Sequence, residues 1–221
     1  MSTGLVNFNW DFISKYSNEE ISYFLYLEGK SIETISIIRN LPKQEIQKHL
    51  ISCKIKYRHL VKSDNIYELF KKLQNTPKNE RIYVLNELDV VNKTKLIDYI
   101  INNHLDITLK EKEFGIWVLG ELKAEKAVDF LIKCTVHKFV NIRRMSVSAL
   151  GKIGNGSCER ALLRALKDEN HQVVSYAIKS LEKIKSENCK ETIKEIYNST
   201  DKDYLKKSCE DFFKNCEKVD E

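Results

Sequence analysis

Between Arg39 and Lys62 the chain carries Arg39, Lys43, Lys48, Lys54, Lys56, Arg58 and Lys62 against Glu45 alone, a net charge of +6. The 38 residues before it hold two basic and five acidic side chains, net −3. Inside the basic stretch, Lys43, Gln44, Gln47 and Lys48 have the chemistry to read a base edge. A glutamine amide pairs two-pronged with adenine, and a lysine donates to guanine acceptors. Lys54, Lys56 and Arg58 lie further along, where phosphate contact is the natural role. The alternative for all seven is a solvated basic helix. A second concentration spans residues 137–167, with Lys138, Arg143, Arg144, Lys152, Arg160, Arg164 and Lys167 against Glu159, again net +6. Arg160, Arg164 and Lys167 stand at i, i+4 and i+7 and share a helix face. Such a face either follows a phosphate backbone or an acidic partner, or is simply solvated.

Other chemistry finds little support. The six cysteines form no CxxC pair, and Met1 to Asn9 lacks the basic and apolar regions of an export signal, so reduced thiols in a cytoplasmic protein are expected. Cys158 and Cys189 fall at equivalent repeat positions, and Cys209 and Cys216 are seven apart; burial as small apolar residues fits better than a zinc site. His49, His59, His104, His137 and His171 are scattered, and no Ser-His-Asp order, glycine-rich phosphate loop or HExxH occurs. The expectation is therefore no enzyme activity, no metal and no cofactor. No apolar run approaches the ~18 residues needed to cross a bilayer, so no membrane partner is expected.

The elements that must position these residues are helices. Two prolines and seven glycines in 221 residues favour an all-α chain. Trp10, Phe12, Ile13 and Tyr16 outline a short amphipathic turn. Ser17 and Glu20 have the spacing of a capping box, and the helix that follows carries Ile21, Phe24, Leu25 and Leu27. Gly29 supplies a left-handed stop. Ser31 caps a further helix with Ile32, Ile35 and Ile38 inward. Asn40 can take positive φ, and Pro42 suits the first position of a helix running through Ile46, Leu50 and Cys53 towards Leu60. Two helices joined by a three-residue turn describe a helix-turn-helix. We place its boundary at residue 62, with Ser63-Asp64 capping the next helix.

The rest of the chain repeats. Leu119-Gly120-Glu121-Leu122 returns as Leu150-Gly151-Lys152-Ile153 and again as Leu181-Glu182-Lys183-Ile184, in steps of 31 residues. Ala127, Cys158 and Cys189 keep the same step. One period on two landmarks marks a stacked repeat protein, whose units bury their apolar faces only on each other. Pro77 to Asn103, Glu111 to Cys134, Asn141 to Lys167 and Gln172 to Asn198 are the predicted helical pairs. Tyr204 to Cys216 is predicted to close the array, and residues 217–221 to fray. Trp117 aligns with the polar Ser148 and Lys179, which predicts contact with the N-terminal module, with a partner, or with the irregular 104–109 loop.

Two resemblances follow from these residues. Gly29 to Leu50, with Ile35, Ser36, Ile38, Leu41, Ile46 and Leu50 on the buried positions, resembles the helix-turn-helix of sigma-factor-like and response-regulator-like DNA-binding domains. Asn40 stands where that family usually has Gly, and Ile37 where it is normally polar, so Ile37 is a candidate interface residue together with Trp117. Ile142 to Ile153, followed by Ala161 to Asp168, resembles HEAT-like repeats of the short, phycobilisome-lyase type. That resemblance implies an α-solenoid whose second helices line the concave side. It also gives Arg143 a structural role, paired with an aspartate between units, for which Asp168 is the candidate. Some HEAT-like proteins of this size are DNA alkylation-repair glycosylases; Asp98 or Asp129 are the carboxylates on offer for that third reading.

The expected molecule is thus an all-α, HEAT-like α-solenoid over residues 63–216 behind a helix-turn-helix module at residues 1–62. Its expected partners are DNA and a protein. The competing expectation is an adaptor whose N-terminal module is only a cap. Fold alone does not choose between them.

Overall fold

The computed structural model describes residues 3–217, with side chains to residue 215. The chain is all-helical, with no strand among the described residues. It is a HEAT-like α-solenoid preceded by a helix-turn-helix module, and it divides into two compact units, Met1–Leu96 and Ile97–Glu221.

In the first unit a 3-10 turn at Trp10–Lys15 leads to α1 (Asn18–Leu27), α2 (Ile32–Arg39), α3 (Lys43–Lys56), α4 (Arg58–Val61), α5 (Ile66–Gln74), α6 (Lys78–Glu87) and the start of α7 (Val90–Asn102). Both halves of the Ser17/Glu20 capping box form, which contributes about 1 kcal/mol to α1. Gly29 ends the following turn at φ 88°. The Ser31 hydroxyl accepts from the Thr34 amide and starts α2. Asn40 takes the left-handed conformation (φ 49°, ψ 47°) that turns the chain sharply between α2 and α3. Pro42 then stands at the N-cap of α3. Tyr23, Phe24, Leu27, Ile35, Ile46, Leu50 and Cys53 form the core beneath these three helices, and Phe8 stacks on Phe24 with ring centroids 4.7 Å apart.

Four expectations for this unit are revised. The helix from Pro42 does not run to Leu60: Tyr57 leaves helical geometry (φ −94°, ψ 6°), and α4 starts anew. Asn65, rather than Ser63-Asp64, caps α5 by accepting from the Glu68 amide at 3.0 Å, while Ser63 is buried and donates to the His59 carbonyl. Ile38 is more than half exposed, because only Ile35 on α2 reaches the core. The unit also continues past residue 62. Lys56 pairs with Glu87 at 2.8 Å, the Asn92 amide donates to the Leu5 carbonyl at 2.8 Å, and α4 packs on α5.

The second unit contains the rest of α7, then α8 (Leu109–Glu121), α9 (Val128–Cys134), α10 (Val140–Ile153), α11 (Glu159–Ala165), α12 (His171–Lys183), α13 (Lys190–Ser199) and α14 (Asp203–Glu217). Helix α10 packs between α8 and α12, and α12 packs on α14. Leu119, Leu150 and Leu181 are completely buried in successive layers, as are Ala127, Cys158 and Cys189. The 31-residue period is therefore the spacing of equivalent core positions. The glycines of the period have a steric cause. A Cβ on Gly151 would stand 2.8 Å from Ser180 Cα, and one on Gly120 would stand 3.0 Å from Ala149 Cα and Cβ. The five cysteines whose side chains are described are buried; burial pushes the Cys53 thiol up to about 12 and the Cys209 thiol up to about 11. The side chain of Cys216 and residues 218–221 of the expected frayed end lie outside the described residues. Among the described residues no helix is long and apolar enough to cross a membrane, and no group of three or more metal-ligating side chains assembles.

Candidate nucleic-acid interface

Helix α3 buries Ile46, His49, Leu50 and Cys53. These positions recur at three and four residues, so they occupy one stripe and leave the opposite side of the helix outward. His49 is accommodated in that stripe by a 3.0 Å hydrogen bond with Ser22. The outward side carries Gln44, Lys48, Ile51 and Ile55 at i, i+4, i+7 and i+11. Gln47 and Lys54 flank it, and all six are exposed.

The four proposed base-reading residues are thus brought together on the first two turns of α3. Lys43 Nζ lies 3.1 Å from Glu33, and Lys48 Nζ lies 3.4 Å from Glu45. Both pairs are solvent-exposed. Exposed pairs contribute on the order of 0–1 kcal/mol and exchange readily for a stronger anion. Hydrogen bonding to its own backbone and to Lys43 lowers the Glu33 carboxyl, so that it stays charged beside the helix start.

The three proposed phosphate contacts separate. Lys54 is exposed, with its ammonium 4.8 Å from the centre of the Tyr26 ring. Lys56 lies 3.1 Å from Glu20 and 2.8 Å from Glu87, and its side chain is only 29% exposed. Burial works against its charge, but the bonds to Glu87 and Glu20 outweigh burial and raise its pKa. Arg58 is paired with Glu80. The charges of Lys56 and Arg58 are therefore matched inside the unit. Their acidic partners lie 22 to 36 residues away in the chain, beyond what a local charge count sees.

The second basic concentration also separates. Arg143 is only 7% exposed. Its Nε donates to Asp168 Oδ2 at 2.7 Å and its Nη2 to Asp168 Oδ1 at 2.9 Å, with Glu169 accepting at 3.1 Å. Arg143 accordingly leaves the binding patch and serves as a fork between α10 and the turn that precedes α12. Arg144 lies over Tyr176, 5.2 Å from the ring centre. Arg164 donates to Thr135 Oγ1 at 3.0 Å, and Lys152 pairs with Glu121 at 2.7 Å. Arg160, Arg164 and Lys167 remain exposed on and just after α11.

Trp117 is half-buried and stacks on Phe114 one turn earlier, at 5.8 Å and 21°. Ile37 is 81% exposed at the end of α2. Of the two carboxylates on offer for repair chemistry, Asp98 is paired with Lys126 at 2.6 Å and Asp129 is exposed on α9. The sequence reading missed Ile51 and Ile55, which are 62% and 64% exposed. The signal was present: both lie off the Ile46, Leu50, Cys53 stripe.

Comparison with known families supports both modules. A model described as a helix-turn-helix domain matches residues 18–91, and one described as HEAT repeats matches residues 139–211. The first match, like the first compact unit, runs beyond residue 62. Neither description specifies a sigma-factor-like or phycobilisome-lyase-type subclass. No curated protein matches the chain.

Proposed function

We propose that this protein is a non-enzymatic DNA-binding regulator whose α3 enters the major groove and whose HEAT repeats dock a protein partner. The observation that carries this reading is the exposed cluster of Lys43, Gln44, Gln47 and Lys48. It lies on the first two turns of the second helix of a helix-turn-helix, the turns that meet base edges in such domains. Lys54 is the phosphate contact that the internal ion pairs leave available. Arg160, Arg164 and Lys167, exposed on and just after α11, give the repeat array a positive surface suited to an acidic protein segment.

Selection of bound duplexes from a random pool, followed by affinity measurements at several salt concentrations, tests the DNA role. Binding should weaken as salt rises, and Lys54→Ala should reduce the slope by about one released counterion. Gln47→Ala should change the selected sequence more than the bulk affinity. Absence of binding to any duplex at low salt removes the proposal.

A second reading, a protein adaptor without a nucleic-acid role, draws support from Ile37 and Ile38, both exposed beside the turn. It predicts that Ile37→Ala weakens capture of a protein partner and that no duplex is enriched.

A further inference from the structure

The outward side of α3 is chemically mixed in a way that a merely solvated helix is not. Gln44 and Gln47 carry amides, and Ile51 and Ile55 carry branched alkyl groups, 62% and 64% exposed. Lys43, Lys48 and Lys54 surround them. Lys43 and Lys48 can donate to guanine acceptors, but the glutamine amides on this face match an adenine edge and the isoleucines a methyl group. From Gln44 to Ile55 the stripe covers about 16 Å of helix, more than the ~12 Å width of a major groove. Gln44, Gln47 and Ile51 fall within the inserted turns, and Ile55 falls towards the groove's edge.

We infer that α3 reads A·T base pairs, with Gln44 and Gln47 on adenine edges and Ile51, supported by Ile55, packed on the thymine C5-methyl group. This rests on the DNA-binding reading and specifies what it recognises. Adenine presents N7 as acceptor and N6 as donor, which one glutamine amide can meet at once. Thymine alone among the four bases places a methyl group in the major groove. An exposed isoleucine side chain has no polar atom to offer a guanine or cytosine, but it removes that methyl from water. Lys54, on the phosphate side, supplies sequence-independent attraction that brings the apolar face to a charged duplex.

The test compares the selected duplex with the same duplex carrying uracil in place of thymine, which removes the methyl groups and leaves the base-pairing edge unchanged. The pool should enrich A·T steps. Uracil at a contacted position should weaken binding about fourfold, the effect of one buried methyl. Ile51→Ala should bind thymine and uracil duplexes equally, and Ile55→Ala should show a smaller loss of discrimination. Because both side chains are exposed, these variants should keep the wild-type circular dichroism and melting temperature. A G·C-rich consensus, or equal affinity for thymine and uracil duplexes, overturns this inference while leaving DNA binding intact. Failure to bind any duplex at low salt overturns both. If Ile51→Ala converts a sedimenting dimer to a monomer and leaves the thymine preference untouched, the face joins copies of this chain and the inference falls.

Discussion

Tyr57 donates a 2.6 Å hydrogen bond to Glu20 from 37 residues away, joining the residue that ends α3 to the first turn of α1. The same Glu20 oxygen takes Lys56 at 3.1 Å, while its other oxygen accepts the Ser17 amide at 2.9 Å. One carboxylate therefore both caps α1 and holds the end of α3 against it. The orientation of the outward face of α3 depends on this node.

The node makes the stability of the first unit pH-dependent. Burial alone would raise the Glu20 carboxyl, but the bonds from Tyr57, the Ser17 amide and Lys56 outweigh it and hold the group below its ordinary value of 4.5. A carboxyl lowered by folding stabilises above its unfolded value, and that contribution is lost as pH falls through the folded one. Lys56 is shifted the other way, above 10.5, so its contribution is complete below that value and is lost as pH rises through the folded one. Denaturant midpoints should therefore plateau between these limits. Glu20→Gln, which can keep the capping box, should flatten the acid limb. An unchanged acid limb would mean that the node contributes nothing.

The same pairing separates Lys56 from Lys54. Lys56→Ala should lower stability and leave the salt slope of DNA binding unchanged, because its charge is already opposed by Glu20 and Glu87. A slope reduced as much by Lys56→Ala as by Lys54→Ala would show that the ion pairs open on binding.

Arg143→Ala should destabilise the second unit by about 3–5 kcal/mol, because it leaves the nearly buried Asp168 carboxylate without its two-pronged partner. Arg160→Ala, on an exposed position, should change stability by less than about 0.5 kcal/mol. Urea unfolding monitored by circular dichroism distinguishes the two. Similar small effects would return Arg143 to the binding surface.

Gly151→Ala sets helix propensity against packing. Alanine favours a helix by about 1 kcal/mol over glycine. Here its methyl would meet the Ser180 Cα at 2.8 Å, and separating the helices should cost about 1–3 kcal/mol. Gly120→Ala, facing Ala149 at 3.0 Å, should be milder. Ser180→Gly should restore part of the Gly151→Ala loss, since part of the clash is with the Ser180 side chain. A melting temperature raised by Gly151→Ala would show that α10 and α12 yield easily.

Much of this protein is decided by residues close together in the chain. The Ser17/Glu20 box, the stop at Gly29 and the positive φ of Asn40 each depend on a few neighbouring backbone groups. The 31-residue period places Leu119, Leu150 and Leu181 in equivalent buried layers because each unit repeats one local solution. Tertiary structure alone decided which charges remain for a partner. Lys54, Lys56 and Arg58 look alike along the chain, yet Glu20, Glu80 and Glu87 neutralise two of them from distant segments. It likewise decided that Ile38 faces outward although its spacing from Ile35 fits a buried stripe, since an apolar residue is buried only where another element covers it. Coulomb attraction and apolar burial act across space, and a linear pattern carries no record of which distant side chains fill that space.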